Sequence, residues 1–212
     1  MTWSTHPETI FSLSAIIPVM VIENVEDAVP LAMALKEGGI NVFEITLRTE
    51  AALAAIQAIA TAMPDAMVGA GTVLTPQQYD DAVAAGAKFV ISPGAPIRLL
   101  QHAMKQPVPL IPGVSTATEI MTAMDLGYFQ LKFFPAEANG GAKALSAISA
   151  PLPQISFCPT GGINLSNVNN YLALSCVKTV GGTWMIPNDA IINKQWQRIT
   201  QLTKEAVEIA SC

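Results

Sequence analysis

Short runs rich in Val, Ile, Phe and Met alternate along the chain with longer Ala-rich stretches that start or stop at Gly, Pro, Ser, Thr or Asn. The apolar runs at 15–21, 41–46, 66–69, 89–92, 109–112, 129–133, 154–158 and 177–180 predict strands. They are nearly continuous, which is how strands buried on both faces read. The stretches at 25–37, 50–62, 76–84, 97–105, 117–126, 141–148, 165–172 and 189–210 predict helices, the last in one piece or two. Within 25–37, Val25, Ala28, Val29, Ala32, Met33 and Leu35 recur mostly at three- and four-residue steps. Asn24 is placed to cap that helix, with Asp27 three positions on, and Gly38 and Gly39 end it. Thr75 before Pro76 reads as a cap followed by proline at the first helical position.

Eight strand–helix repeats predict an α/β fold, a closed parallel (β/α)8 TIM barrel, in preference to an open doubly wound sheet. With 212 residues the loops must be tight. No linker, low-complexity tract or charge block divides the chain, so one barrel domain is expected over 1–212, with a short helical segment at its start. No GxGxxG fingerprint follows the first strand, which weakens a nicotinamide reading.

Composition narrows the function classes. The chain is 51% hydrophobic and 13% charged, and its mean hydropathy of +0.41 raises the question of a membrane protein. The run at 15–22 is broken by Pro18 and followed by Glu23, Glu26 and Asp27, and no stretch approaches the roughly 20 apolar residues of a bilayer span. MTWSTHPETIF has no cationic start leading to an apolar run, so a cytoplasmic location is the expectation. The formal charge of −5 comes with scattered basic residues, unlike the bank that tracks nucleic-acid phosphates. Neither a membrane nor a nucleic acid is an expected partner; a small molecule is. Cys158, Cys176 and Cys212 suit neither a disulfide framework nor a zinc site, and Cys158, in ISFCP, reads as core. His6 and His102 lack metal-ligand spacing. Glu44 is the clear strand-end carboxylate, with Glu137 in the loop after the sixth strand, so covalent chemistry is favoured over metal-assisted cleavage.

A barrel works at the C-terminal ends of its strands, and the unusual residues of this sequence cluster there. Lys132 stands in QLKFFP, where a lysine is out of place unless it is paired or working. It is a snorkelling residue, half of a structural ion pair, or a nucleophilic amine. Apolar surroundings favour the neutral form of an amine, and Schiff-base formation needs that form. Glu44, in VFEITLRT, is either salt-bridged to Arg48 or Lys132, or a general acid/base. The planar fork of Arg48 suits a substrate carboxylate. Thr72 and Thr160 offer hydroxyls or merely cap helices. Gly161–Gly162 and Gly181–Gly182 offer backbone N–H groups where barrels often hold a phosphate.

FEITLRT (43–49), VGAGTVL (68–74), FVISPG (89–94), PLIPG (109–113), KFFPAEANGG (132–141), FCPTGG (157–162) and VGGTW (180–184) closely resemble the bacterial 2-dehydro-3-deoxy-6-phosphogluconate and 4-hydroxy-2-oxoglutarate aldolase family. The resemblance runs from about residue 10 to the last helix. It implies a metal-independent class I aldolase barrel, assembled as a homotrimer, that serves the Entner–Doudoroff pathway and hydroxyglutarate metabolism. Lys132 would form the Schiff base, Glu44 would be the general acid/base and Arg48 would hold the substrate carboxylate. Thr72, Pro93 and Phe134 would line the pyruvyl pocket, and Gly161, Gly162, Gly182 and Thr183 the phosphate end. No cofactor is implied, because the lysine itself carries the covalent intermediate. Many members have serine where this chain has Thr183, whose extra methyl group crowds a phosphate. The alternatives are an aldolase for the galactonate epimer and a non-enzymatic barrel that binds a sugar phosphate.

Overall fold

The computed structural model describes residues 3–210, so Cys212 lies outside them. A short helix α1 (Pro7–Ser12) precedes strand β1 (Ile16–Met20), and strands and helices then alternate: α2 (Val25–Glu37), β2 (Val42–Thr46), α3 (Ala52–Ala62), β3 (Met67–Gly71), α4 (Pro76–Ala84), β4 (Phe89–Ile91) and α5 (Ile97–Ala103). The second half runs β5 (Leu110–Ile111), β6 (Gly113–Val114), α6 (Ala117–Asp125), β7 (Gln130–Phe133), α7 (Gly141–Ser149), β8 (Ser156–Pro159), α8 (Val168–Leu172), β9 (Val180–Gly182), α9 (Asn188–Ile192) and α10 (Trp196–Ala210).

All pairings between these strands are parallel, in the order β5-β4-β3-β2-β1-β9 and β6-β7-β8. Bridges at Thr160–Gly181 and Phe157–Val177 join the two ends. With β5 and β6 as consecutive pieces of one staircase, the ring is a (β/α)8 barrel. Every residue of β1 and β2 is buried, as strands enclosed between a barrel interior and a helical shell must be. At the N-terminal ends of the strands, α1 buries Ile10 and Phe11, and the Ser4 N–H donates to Pro107 O ahead of β5.

Three sequence expectations are corrected by local physics. The run 109–112 is not one strand but two short ones. Pro112 has no N–H to donate, so pairing to β4 stops at Ile111 and pairing to β7 begins at Gly113, with Pro112 O accepting from the Lys132 N–H at 2.9 Å. The last strand lies at 180–182, not 177–180, so Gly181 and Gly182 are within it, opposite Ile17 and Pro18. Asn24 sits at the start of α2, yet its side chain makes no cap; the contact there is from the Asp27 N–H to Asn24 O. The Thr75 hydroxyl does cap α4, accepting from the Gln78 N–H.

The outer shell closes where α2 meets α10. A Cβ at Gly38 would fall 2.4 Å from Thr203 Cβ, and Thr200 Oγ1 donates to Ala34 O at 3.0 Å. Glycine is needed at position 38 for that close approach.

Candidate active site

The barrel mouth holds two charged side chains that point into it from opposite walls. Lys132, on β7, is 5% exposed and Glu44, on β2, is 1% exposed. Lys132 Nζ lies 3.2 Å from Glu44 Oε1. Since β2 and β7 are not neighbours, this contact crosses the interior. Between the two alternatives read from the sequence, Glu44 pairs with Lys132 and not with Arg48. Lys132 Nζ also stands 5.2 Å from the centroid of the Phe134 ring, close enough for a cation–π attraction. Lys132 is the one buried lysine among the described residues.

Room for this pair comes from glycines. A Cβ on Gly71 would sit 2.1 Å from Glu44 Oε1, so an empty position at the end of β3 lets the carboxylate reach across. Gly113, in register with Lys132, allows the carbonyl of Pro93 to approach, since a Cβ there would fall 2.4 Å from it. Pro93 is thereby packed next to the lysine strand. Replacing Gly71 by Ala is expected to displace Glu44; if that carboxylate works in catalysis, as the family resemblance implies, kcat falls by about tenfold or more, because small misplacements of a working group are expensive. Overpacking would cost only about 1–3 kcal/mol of stability. Turnover and thermal midpoint, measured together, check this; unchanged turnover would defeat it.

Arg48 is exposed two residues beyond β2, and its Nε donates to Thr72 Oγ1 at 3.3 Å. Among the described residues no carboxylate pairs with its guanidinium, so its fork is available to a ligand. Thr72 itself has φ +56°, a left-handed conformation that costs a β-branched residue energy and that recurs at functional sites. Thr160, buried after β8, takes up the space left by Gly181, where a Cβ would be 2.2 Å from its hydroxyl. Gly161 and Gly162 turn with φ +104° and +79°. Gly182 leaves room for the Trp184 ring. Thr183 is exposed and borders a cavity of about 390 Å³ with Val19, Val21 and Ile186. A larger one, about 580 Å³, adjoins it over Val21 and Asn188. Both lie past the C-terminal end of β1, against Asn188 and Ile191 of α9, and neither is lined by Lys132 or Glu44.

Cys158 is core, as the sequence predicts, but it is also the register partner of Lys132. Burial pushes its thiol up to about 12; the nearby Lys132 ammonium opposes this and the Glu44 carboxylate adds to it. The folded chain therefore keeps this proton while an unfolded one releases it. The resulting stabilisation is complete below the ordinary thiol value of 9.0 and is lost as pH rises towards about 12. Iodoacetamide is expected to leave Cys158 unmodified in the native protein at about pH 9 and to label it after unfolding, as mapped by mass spectrometry. Labelling in native protein would contradict the burial argument.

A parallel barrel with an almost fully buried lysine and glutamate in contact at its mouth is the architecture of a class I aldolase, in which an amine attacks a substrate ketone. A family model described as KDPG and KHG aldolase matches residues 8–202. The KHG/KDPG aldolase of Escherichia coli (strain K12) is 52% identical over 206 residues, 97% of this chain and 97% of that protein. The 2-dehydro-3-deoxy-phosphogluconate aldolase of Dickeya dadantii is 54% identical over 205 residues, 97% and 96% of the two chains. A crystal structure of KDPG aldolase from Legionella pneumophila, with pyruvate captured at low pH as a covalent carbinolamine intermediate, matches with a TM-score of 0.95 at 51% identity, covering 97% of this chain and 99% of that one. This chain belongs to the KDPG and KHG aldolase family.

Proposed function

We propose that the protein is a carbon–carbon lyase that cleaves 2-dehydro-3-deoxy-6-phospho-D-gluconate to pyruvate and D-glyceraldehyde 3-phosphate through a Schiff base on Lys132. 4-Hydroxy-2-oxoglutarate, which would yield pyruvate and glyoxylate, is its second substrate. The observation that carries this reading is the buried contact between Lys132 Nζ and Glu44 Oε1, in a chain whose relatives bear the aldolase name.

The amine of Lys132 adds to the C2 ketone, and Glu44 delivers the proton with which the carbinolamine hydroxyl leaves as water. The iminium then draws the electrons of the C3–C4 bond into an enamine, while Glu44, directly or through water, takes the C4 hydroxyl proton. The aldehyde departs. Protonation of the enamine at C3 and hydrolysis of the imine release pyruvate and restore the lysine. Because the iminium is the electron sink, the residues named supply every proton and electron the cleavage needs.

Arg48 holds the 2-oxo acid carboxylate, with Thr72, Pro93 and Phe134 around the pyruvyl group. Thr160 stands between the pyruvyl and phosphate ends, where Gly181 makes room for it. The phosphate end is formed by the N–H groups of Gly161 and Gly162, and by Gly182 and Thr183 at the end of β9. Family resemblance supports a cytoplasmic homotrimer; no helix among the described residues is long and apolar enough to cross a membrane. The test is borohydride reduction in the presence of pyruvate, with the adduct mapped by mass spectrometry. Mass on Lys132 supports the reading; mass elsewhere, or none, overturns it. A barrel that only bound sugar phosphates would release no pyruvate.

A further inference from the structure

The turn after β8 carries Gly161 and Gly162, and its carbonyl groups are all held from outside. The Ala136 N–H donates to Thr160 O at 2.8 Å and the Glu137 N–H to Gly161 O at 3.0 Å. The side-chain amides of Asn167 and Asn164 donate to Gly162 O at 3.1 and 3.3 Å. With its acceptors occupied, the turn has its N–H groups left for an anion, which is how backbone concavities bind one.

Glu137 joins this turn to the helical shell. A Cβ on Gly162 would fall 2.7 Å from both Cβ and Cγ of Glu137, so the methylene stem of Glu137 fills the space against Gly162. Its carboxylate is turned the other way. Oε1 accepts a hydrogen bond from the hydroxyl of Tyr171 on α8, and it lies 3.2 Å from where a Cβ on Gly141, the first residue of α7, would stand. Tyr171 is fully buried. Burial, and then the bond to Glu137, push its hydroxyl up, so it remains a donor throughout the working pH range. The catalytic steps derived above use neither residue.

We propose that Glu137 and Tyr171 are positioning residues for substrate phosphate: Tyr171 anchors the Glu137 side chain, whose stem and N–H hold Gly161–Gly162 in an anion-binding arrangement. This rests on the functional reading given above, which places the phosphate at that turn. It predicts a defect selective for phosphorylated substrate, which a general loss of fold would not produce.

The test is steady-state kinetics of the wild type, Y171F, E137A and E137Q on 2-dehydro-3-deoxy-6-phosphogluconate and on unphosphorylated 4-hydroxy-2-oxoglutarate. Y171F and E137A are expected to raise KM for the phosphorylated substrate about fivefold, the equivalent of one hydrogen bond. Their kcat, and KM for the unphosphorylated substrate, should move by less than about twofold. Removing a carboxylate near a phosphate would by itself lower KM, so a rise in E137A is diagnostic. E137Q keeps an acceptor for Tyr171 and should recover most of the affinity. Since Tyr171 is buried, a Y171F that fails to fold is answered by E137A, which lies at the surface. Equal changes on both substrates, or no change in either single variant, would overturn the inference while wild-type cleavage left the functional reading standing. A wild type that cleaves neither substrate removes both.

Discussion

Exchanging Lys132 for arginine is expected to abolish pyruvate release, with kcat reduced by about 10⁴-fold or more, and to leave no borohydride-stable pyruvate adduct at that position. Arginine is the informative choice because it keeps a positive charge against Glu44, yet its guanidinium stays protonated and cannot form the imine. Methionine at the same site removes the amine but leaves Glu44, 1% exposed, without its cation. Breaking one side of a buried pair costs about 3–5 kcal/mol, so K132M should melt well below the wild type, whereas K132R should stay closer to it. Thermal midpoints thus separate lost chemistry from lost fold. Lys36 and Lys88 cannot substitute, because they reach outward to Asp65 and to the carbonyls of Pro64 and Ala66. Substantial turnover by K132R, or an adduct on another lysine in the wild type, would end the assignment.

The sequence was most legible where burial dictates composition. Strands enclosed on both faces must be apolar throughout, so the runs around Val19, Phe43 and Val90 stand out, and for the same reason Lys132 and Glu44 stand out as charges inside such runs. It was least legible where backbone geometry or a distant partner decides. PLIP reads as one apolar run, but the N–H that Pro112 lacks divides it between two neighbours. Gly181 and Gly182 have no apolar side chains to mark them as strand; only pairing with β1 does. Whether Glu44 meets Arg48, four residues away, or Lys132, 88 residues away, depends on the closure of the barrel. Gly71 and Gly113 stand out in the sequence only as strand-end residues; the reason each must be glycine shows in the side chain or carbonyl that fills its space. The bond from Tyr171 to Glu137 joins helix α8 to the loop after β7 and has no spacing signature.

Glu44→Gln separates proton transfer from carbon–carbon chemistry. The variant keeps the size of the side chain and a carbonyl oxygen facing Lys132 Nζ, and it removes the group able to accept and return a proton. General acid/base catalysis is worth about 10²–10⁴-fold, so kcat for cleavage should fall by that factor. The exchange of pyruvate methyl protons with deuterated solvent tests the same group without any aldehyde present, since it needs only imine formation, enamine formation and reprotonation at C3. If one carboxylate serves all of these steps, exchange followed by proton NMR must fall with cleavage, by a similar factor. The borohydride adduct on Lys132 should still form in E44Q, more slowly, because the amine is intact. Exchange at the wild-type rate alongside crippled cleavage would confine Glu44 to holding the C4 hydroxyl, and the single-shuttle mechanism would have to be abandoned. The 3.2 Å separation from Lys132 Nζ argues against that outcome, because a carboxylate in contact with the amine is already placed where the carbinolamine hydroxyl must leave.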